Sequence, residues 1–116
     1  MISGTLAGII IALSITELFG QIFIKTYYET QKVYWFFIAW FFYLLVIYLL
    51  YRAYYFTGFA IANGLWSAFA LILTTLVGIF YYKETLNNYE LAGIILIVIG
   101  IIVLGFYSDD KTAELE

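Results

Sequence analysis

The stretch LAGIILIVIGIIVLGFY, residues 91–107, decides the fold class of this chain. It contains 17 consecutive residues without a charge, and a membrane-spanning helix needs about 20 predominantly apolar residues. Three similar segments precede it, with predicted spans over 4–24, 33–51 and 59–82. The sequence therefore predicts an all-α integral membrane protein with four transmembrane helices.

Composition also places the chain in lipid rather than in water. Of the 116 residues, 66% are hydrophobic and 11% are charged, whereas a soluble domain averages about 25% charged residues. A chain this small and this apolar cannot cover its surface with polar groups. We expect a multi-pass protein of the cell membrane, with one four-helix domain over 1–107 and a polar tail over 108–116.

The residue types that are missing exclude several classes of chemistry. The chain has no cysteine and no histidine, which removes thiolate metal sites, disulfides and the commonest general base. We therefore expect no enzyme activity, no metal and no cofactor. The net charge of −3 offers no basic surface for nucleic acid.

Glu17 is the one acidic residue inside the first predicted span. A carboxylate at that depth costs a few kcal/mol, so its presence makes a functional site the default hypothesis. Helical spacing places Ser14, Gln21 and Lys25 on the same stripe, which we expect to face protein or a water-filled cavity. The alternative is a structural role, in which Ser14 and Gln21 form interhelical hydrogen bonds.

The second and third spans add aromatic and polar candidates. An indole can cover an organic cation, although a tryptophan at helical spacing is also common in packing. In the second span, the phenol of Tyr43 requires a partner if it is buried. The polar face of the third span consists of Asn63, Trp66, Ser67, Ala70 and Thr74.

Two features point to association of two copies. Gly93 and Gly100 share a face of the fourth span, and small residues let helix backbones approach closely. The positive charges are nearly balanced, with three lysines in the first and third connections against Arg52 and Lys111 on the opposite side. Such a balance does not predict one orientation in the membrane. Three explanations remain open: the protein inserts in both orientations, an external factor fixes its orientation, or five charges are too few to decide. An antiparallel pair would reproduce an inverted repeat and bring two Glu17 side chains to one chamber.

In order and spacing, these residues resemble the small multidrug resistance family of proton-coupled exporters. The resemblance implies an antiparallel homodimer of eight helices, with Glu17 as the shared site for protons and a cationic substrate. It also implies that Trp66 and Tyr43 line that site and that the helix bearing the two glycines dimerises. The residues that carry it are Glu17-Leu18-Phe19-Gly20, Lys25, Tyr43, Thr57-Gly58, Leu65-Trp66-Ser67, Gly93 and Gly100.

The chain departs from the pattern of that family at several positions. Asn63 replaces the usual tyrosine, and Ala68 and Ala70 replace two glycines that let the third helix kink. Leu18 and Phe19 do not match the tryptophan of the guanidinium-exporting branch. This difference favours hydrophobic quaternary ammonium or aromatic cations.

The resulting hypothesis is a proton-coupled antiporter that exports lipophilic organic cations by alternating access. Burial favours the neutral form of a carboxyl group, so Glu17 can hold a proton for exchange. Two alternatives remain: a subunit of a heteromeric small transporter or lipid-linked sugar flippase without its own export activity, and a purely structural membrane protein. The predicted site consists of Glu17, Trp66, Tyr43, Asn63, Ser67, Gln21 and Ser14, and the predicted dimer contact of Gly93 and Gly100.

Overall fold

Four helices account for most of the chain. The computed structural model describes residues 4–107, so the expected polar tail over 108–116 lies outside the described residues. The helices are α1 (Gly4–Thr30), α2 (Val33–Ala53), α3 (Phe59–Phe80) and α4 (Asn88–Tyr107). Each is long and apolar enough to cross a membrane, which confirms the all-α, four-span prediction.

Helix α1 extends beyond the predicted end of the first span at Ile24. The hydroxyls of Thr26 and Thr30 donate to carbonyl oxygens one turn earlier, each at 2.8 Å, so these polar residues fit within the helix. Gln31 ends it in the left-handed conformation (φ 60°), and its N–H donates to the Tyr27 carbonyl at 2.7 Å. The first connection is therefore much shorter than the sequence suggested.

Helix α4 begins earlier than residue 91 because a reciprocal cap stabilises its first turn. The Glu90 N–H donates to Asn87 Oδ1 at 2.8 Å, and the Asn87 N–H donates to Glu90 Oε1 at 3.4 Å. This is the capping-box arrangement, which satisfies backbone donors that a helix start leaves free.

Helix α1 lies between α2 and α3, and α4 packs chiefly against α3. The buried cluster joins Leu6 and Ile10 of α1 to Leu65 of α3 and Ile101 of α4. A Cβ on Gly64 would lie 3.1 Å from Leu104 Cδ1, so this glycine permits close contact between α3 and α4. Ile101 is the one buried residue of α4, and most of that helix surface is left for lipid or another chain.

Candidate functional site

The predicted polar faces of α1 and α3 meet around one cavity. It has a volume of ≈ 280 Å³. Helix α1 contributes Glu17 and Gln21, which helical spacing in the sequence places on the same face. The wall from α3 consists of Trp66, Ser67, Ala70, Leu71 and Thr74. We call this space the Glu17 cavity.

The Glu17 carboxylate is half-buried and is held by a hydrogen bond from a residue of its own helix. Gln21 Nε2 donates a hydrogen bond to Glu17 Oε1 at 3.0 Å. Within residues 4–107, Gln21 is the one side chain that hydrogen-bonds this carboxylate. The second oxygen, Oε2, is therefore free to accept from a ligand.

Trp66 supplies an aromatic wall opposite this carboxylate. Its Nε1 is buried and has no hydrogen-bond partner in the described part of the chain. Since the indole N–H is not engaged elsewhere, the ring is positioned by packing alone. A ring face beside a carboxylate suits the apolar body of an organic cation.

A larger cavity of ≈ 470 Å³ adjoins the first and shares Gln21 and Thr74 with it. We call it the outer cavity, because it reaches the connection between α3 and α4. There Lys25 Nζ lies 4.8 Å from the centroid of the Tyr82 ring. Its other lining residues include Leu18, Ile22, Tyr28, Tyr43, Val77, Gly78 and Glu84.

Tyr82 lies at the membrane-surface end of the outer cavity. Burial raises the pKa of its phenol, and the negative charge of Glu29 raises it further. The ring therefore remains neutral beneath the Lys25 ammonium. Glu84 approaches the same end, where its side chain contacts Gly78 and its N–H donates to the Gly78 carbonyl at 2.9 Å.

Three predicted site residues lie away from the Glu17 cavity. Tyr43 lines the outer cavity instead. Ser14 is fully buried, lines neither cavity, and its hydroxyl has no hydrogen-bond partner within residues 4–107. Asn63 Nδ2 donates to the Phe59 carbonyl at 2.8 Å and to the Tyr54 hydroxyl at 3.3 Å, which turns its amide back along α3.

No pattern in the sequence indicates that Tyr82 and Glu84 line a cavity beside Glu17. Both follow the end of α3, where Lys83 adopts the left-handed conformation (φ 61°). That reversal turns Glu84 back towards Gly78, and Tyr82, which directly precedes Lys83, lines the same cavity. A positive φ at a lysine has no local sequence signal.

Comparison of the sequence with known proteins gives a family match that spans most of the chain. Residues 6–97 match the family model for the Small Multidrug Resistance protein. The chain belongs to the small multidrug resistance family. This membership confirms the resemblance noted in the sequence and identifies a multi-pass membrane transport protein.

This small multidrug resistance protein also has a named relative. It is 27% identical over 93 residues to the quaternary ammonium compound-resistance protein QacH of Staphylococcus saprophyticus. The alignment covers 80% of this chain and 87% of QacH. The family match includes all the residues that line the two cavities.

Helix α4 of this small multidrug resistance protein presents an open glycine face. A Cβ added at Gly93 or at Gly100 would meet no atom within 4 Å. Contact with α3 instead uses Ile101 and Leu104. The two glycines therefore have no packing role in the described single chain.

The described residues, 4–107, contain no cluster of three or more His, Cys, Asp or Glu side chains able to hold a metal ion.

Proposed function

We propose that this protein is a proton-coupled antiporter that exports hydrophobic organic cations of the quaternary ammonium or aromatic type by alternating access. One observation carries the proposal: the Glu17 carboxylate and the Trp66 indole line the same cavity between two membrane-spanning helices. The carboxylate offsets the charge of the cation, and the indole covers its apolar body.

Proton coupling follows from competition for one carboxylate. A bare charge inside a membrane is costly, so Glu17 is occupied by either a proton or an organic cation while it is shielded from water. Each arriving cation displaces protons, and each arriving proton displaces the cation. Exclusive occupancy of Glu17 then links the two opposite fluxes.

The dimensions and polarity of the cavities support an organic cation as substrate. The Glu17 cavity and the outer cavity have volumes of ≈ 280 Å³ and ≈ 470 Å³ and share a boundary at Gln21 and Thr74. Sites for small organic molecules occupy about 300–1,000 Å³ and are mostly apolar with a few polar groups. The printed name of QacH, a quaternary ammonium compound-resistance protein, supports the same class of substrate.

Two copies in antiparallel orientation complete the proposed transporter. One chain supplies one Glu17, and α4 leaves Gly93 and Gly100 open for contact with a second chain. Association through this face produces eight helices and two carboxylates around one chamber. Opposite orientations of the two copies give the inverted symmetry on which alternating access depends.

Reconstituted protein tests this function directly. In liposomes with an acidic lumen, we expect the wild type to accumulate tetraphenylphosphonium, and in detergent we expect the same cation to release protons. Glu17→Gln removes the exchangeable proton and is expected to abolish both signals. Glu29→Gln makes the same chemical change at an exposed position near the end of α1 and is expected to retain both. Accumulation by Glu17→Gln against a pH gradient would falsify the proposal.

A further inference from the structure

The hydrogen bond from Gln21 to Glu17 limits what the carboxylate can offer a substrate. Gln21 Nε2 donates to Oε1 at 3.0 Å across one helical turn. Both residues belong to α1, so the contact is set by helical spacing and requires no second chain. Glu17 therefore faces the cavity with one oxygen already engaged.

Cations differ in how many carboxylate oxygens they need. A guanidinium group is planar and pairs best through two parallel N–H···O bonds, one to each oxygen. A quaternary ammonium group has no N–H and is bound through its charge and through contact with an aromatic face. An amide bound to one lone pair of Oε1 thus competes with the first kind of recognition and leaves the second intact.

Within the single chain, the other described groups around Glu17 add no second negative charge that would compensate for this loss. The lining residues from α3 are Trp66, Ser67, Ala70, Leu71 and Thr74, and none carries a charge. From α2, the titratable group close enough to Glu17 to be affected by its charge is the phenol of Tyr43. Lys25, two turns along α1, has its ammonium over the Tyr82 ring.

We propose that Gln21 is a specificity-determining residue, which selects cations without N–H donors over guanidinium-type cations by occupying Oε1 of Glu17. This inference rests on the proposed function, because it assumes that the cation binds at Glu17. Gln21 acts on the choice of substrate through the Glu17 carboxylate. Its hydrogen bond narrows the substrate class to quaternary ammonium and similar cations.

Two probes with the same aryl group and the same charge test the selection. Phenyltrimethylammonium and phenylguanidinium share the aryl group and the charge and differ in N–H donors. Their dissociation constants are measured by displacement of bound tetraphenylphosphonium. We expect the wild type to prefer phenyltrimethylammonium. In Gln21→Met, which keeps the chain length without the amide, the ratio should shift towards phenylguanidinium by about tenfold, the effect of one charge-assisted hydrogen bond.

A second variant separates the amide contact from general polarity. The hydroxyls of Thr16, Thr26 and Thr30 in α1 all donate to a carbonyl one turn earlier. A threonine at position 21 should do the same, so Gln21→Thr should free Oε1 and shift the ratio as Gln21→Met does. Thr16→Val removes a polar group from α1 outside both cavities, and its ratio should equal that of the wild type.

The outcomes distinguish this inference from the function on which it rests. An unchanged ratio in both Gln21 variants, with cation-induced proton release intact in the wild type, overturns the inference alone. A shift in Gln21→Met but not in Gln21→Thr also overturns it, because the loss of a polar group rather than of the amide contact is then responsible. Absence of proton release from the wild type with either probe contradicts the proposed function and this inference with it.

Discussion

The ring of Tyr43 in α2 packs directly on the backbone of α1 at Gly20. A Cβ at Gly20 would lie 2.8 Å from Tyr43 Cε2 and 3.1 Å from Cδ2, closer than side chains normally approach. The same tyrosine lines the outer cavity. Gly20 therefore sets both the approach of α1 to α2 and the position of an aromatic wall.

We predict that Gly20→Ala destabilises the protein and weakens cation binding together. The added methyl group must displace the Tyr43 ring, and such overpacking costs about 1–3 kcal/mol. Thermal unfolding in detergent and tetraphenylphosphonium affinity measure the two effects. Gly8→Ala is the matched control, because a Cβ at Gly8 in the same helix meets no atom within 4 Å. Equal stability of the two variants would contradict the role given to Gly20.

Periodicity within single helices predicted the parts of the site that depend on one helix at a time. Glu17 and Gln21 of α1, and Trp66 and Ser67 of α3, were assigned to polar faces from their spacing, and these faces line one cavity. A helical pattern gives the direction of a side chain around its axis. It does not predict which residues of the neighbouring helices lie at the same level along that axis. Ser14 therefore shares the stripe of Glu17 but is enclosed by packing.

The outer cavity could not be predicted because it depends on a chain reversal between helices. Glu84 reaches it through the left-handed backbone of Lys83, and Tyr82 through the turn that ends α3. Neither glycine nor asparagine marks the reversal at Lys83. The bounds of α1 were missed for a related reason. Its polar end predicts a loop, yet the hydroxyls of Thr26 and Thr30 donate hydrogen bonds to carbonyl oxygens of the same helix.

Trp66 is predicted to contribute through its ring rather than through its N–H. Since Nε1 has no partner within residues 4–107, Trp66→Phe should weaken tetraphenylphosphonium binding less than about fivefold. Trp66→Leu removes the aromatic face and should weaken it at least about tenfold, as expected for a desolvated cation–π contact. Trp40→Leu is the control, because Trp40 is 60% exposed on α2 and lines neither cavity. Equal losses in the Phe and Leu variants at Trp66 would disprove this assignment.

Tyr82 is predicted to ionise later than an ordinary tyrosine. Burial raises the pKa of its phenol above 10.0, with a further contribution from the charge of Glu29. Since the folded state favours the neutral phenol, this stabilisation is complete below pH 10.0 and is lost as the pH rises through the raised pKa. The tyrosinate absorbance that disappears in Tyr82→Phe should therefore have its midpoint above pH 10.0. Glu29→Gln should move that midpoint down, and a midpoint below 10.0 in the wild type would contradict the burial of this ring.

The glycine face of α4 is predicted to serve association rather than folding of the single chain. Since a Cβ at Gly93 or Gly100 meets no atom within 4 Å, leucine at either position should leave the protomer stable. In a dimer formed through this face, the same leucine overpacks the contact at a cost of about 1–3 kcal/mol. We therefore expect Gly100→Leu to raise the dimer dissociation constant about tenfold or more, as measured by light scattering and cross-linking in detergent, and to reduce transport in parallel. Ala92→Leu adds comparable bulk at an exposed position on another side of α4 and should leave the dimer intact. Dimerisation that survives leucine at both glycines would show that the copies associate through a different surface.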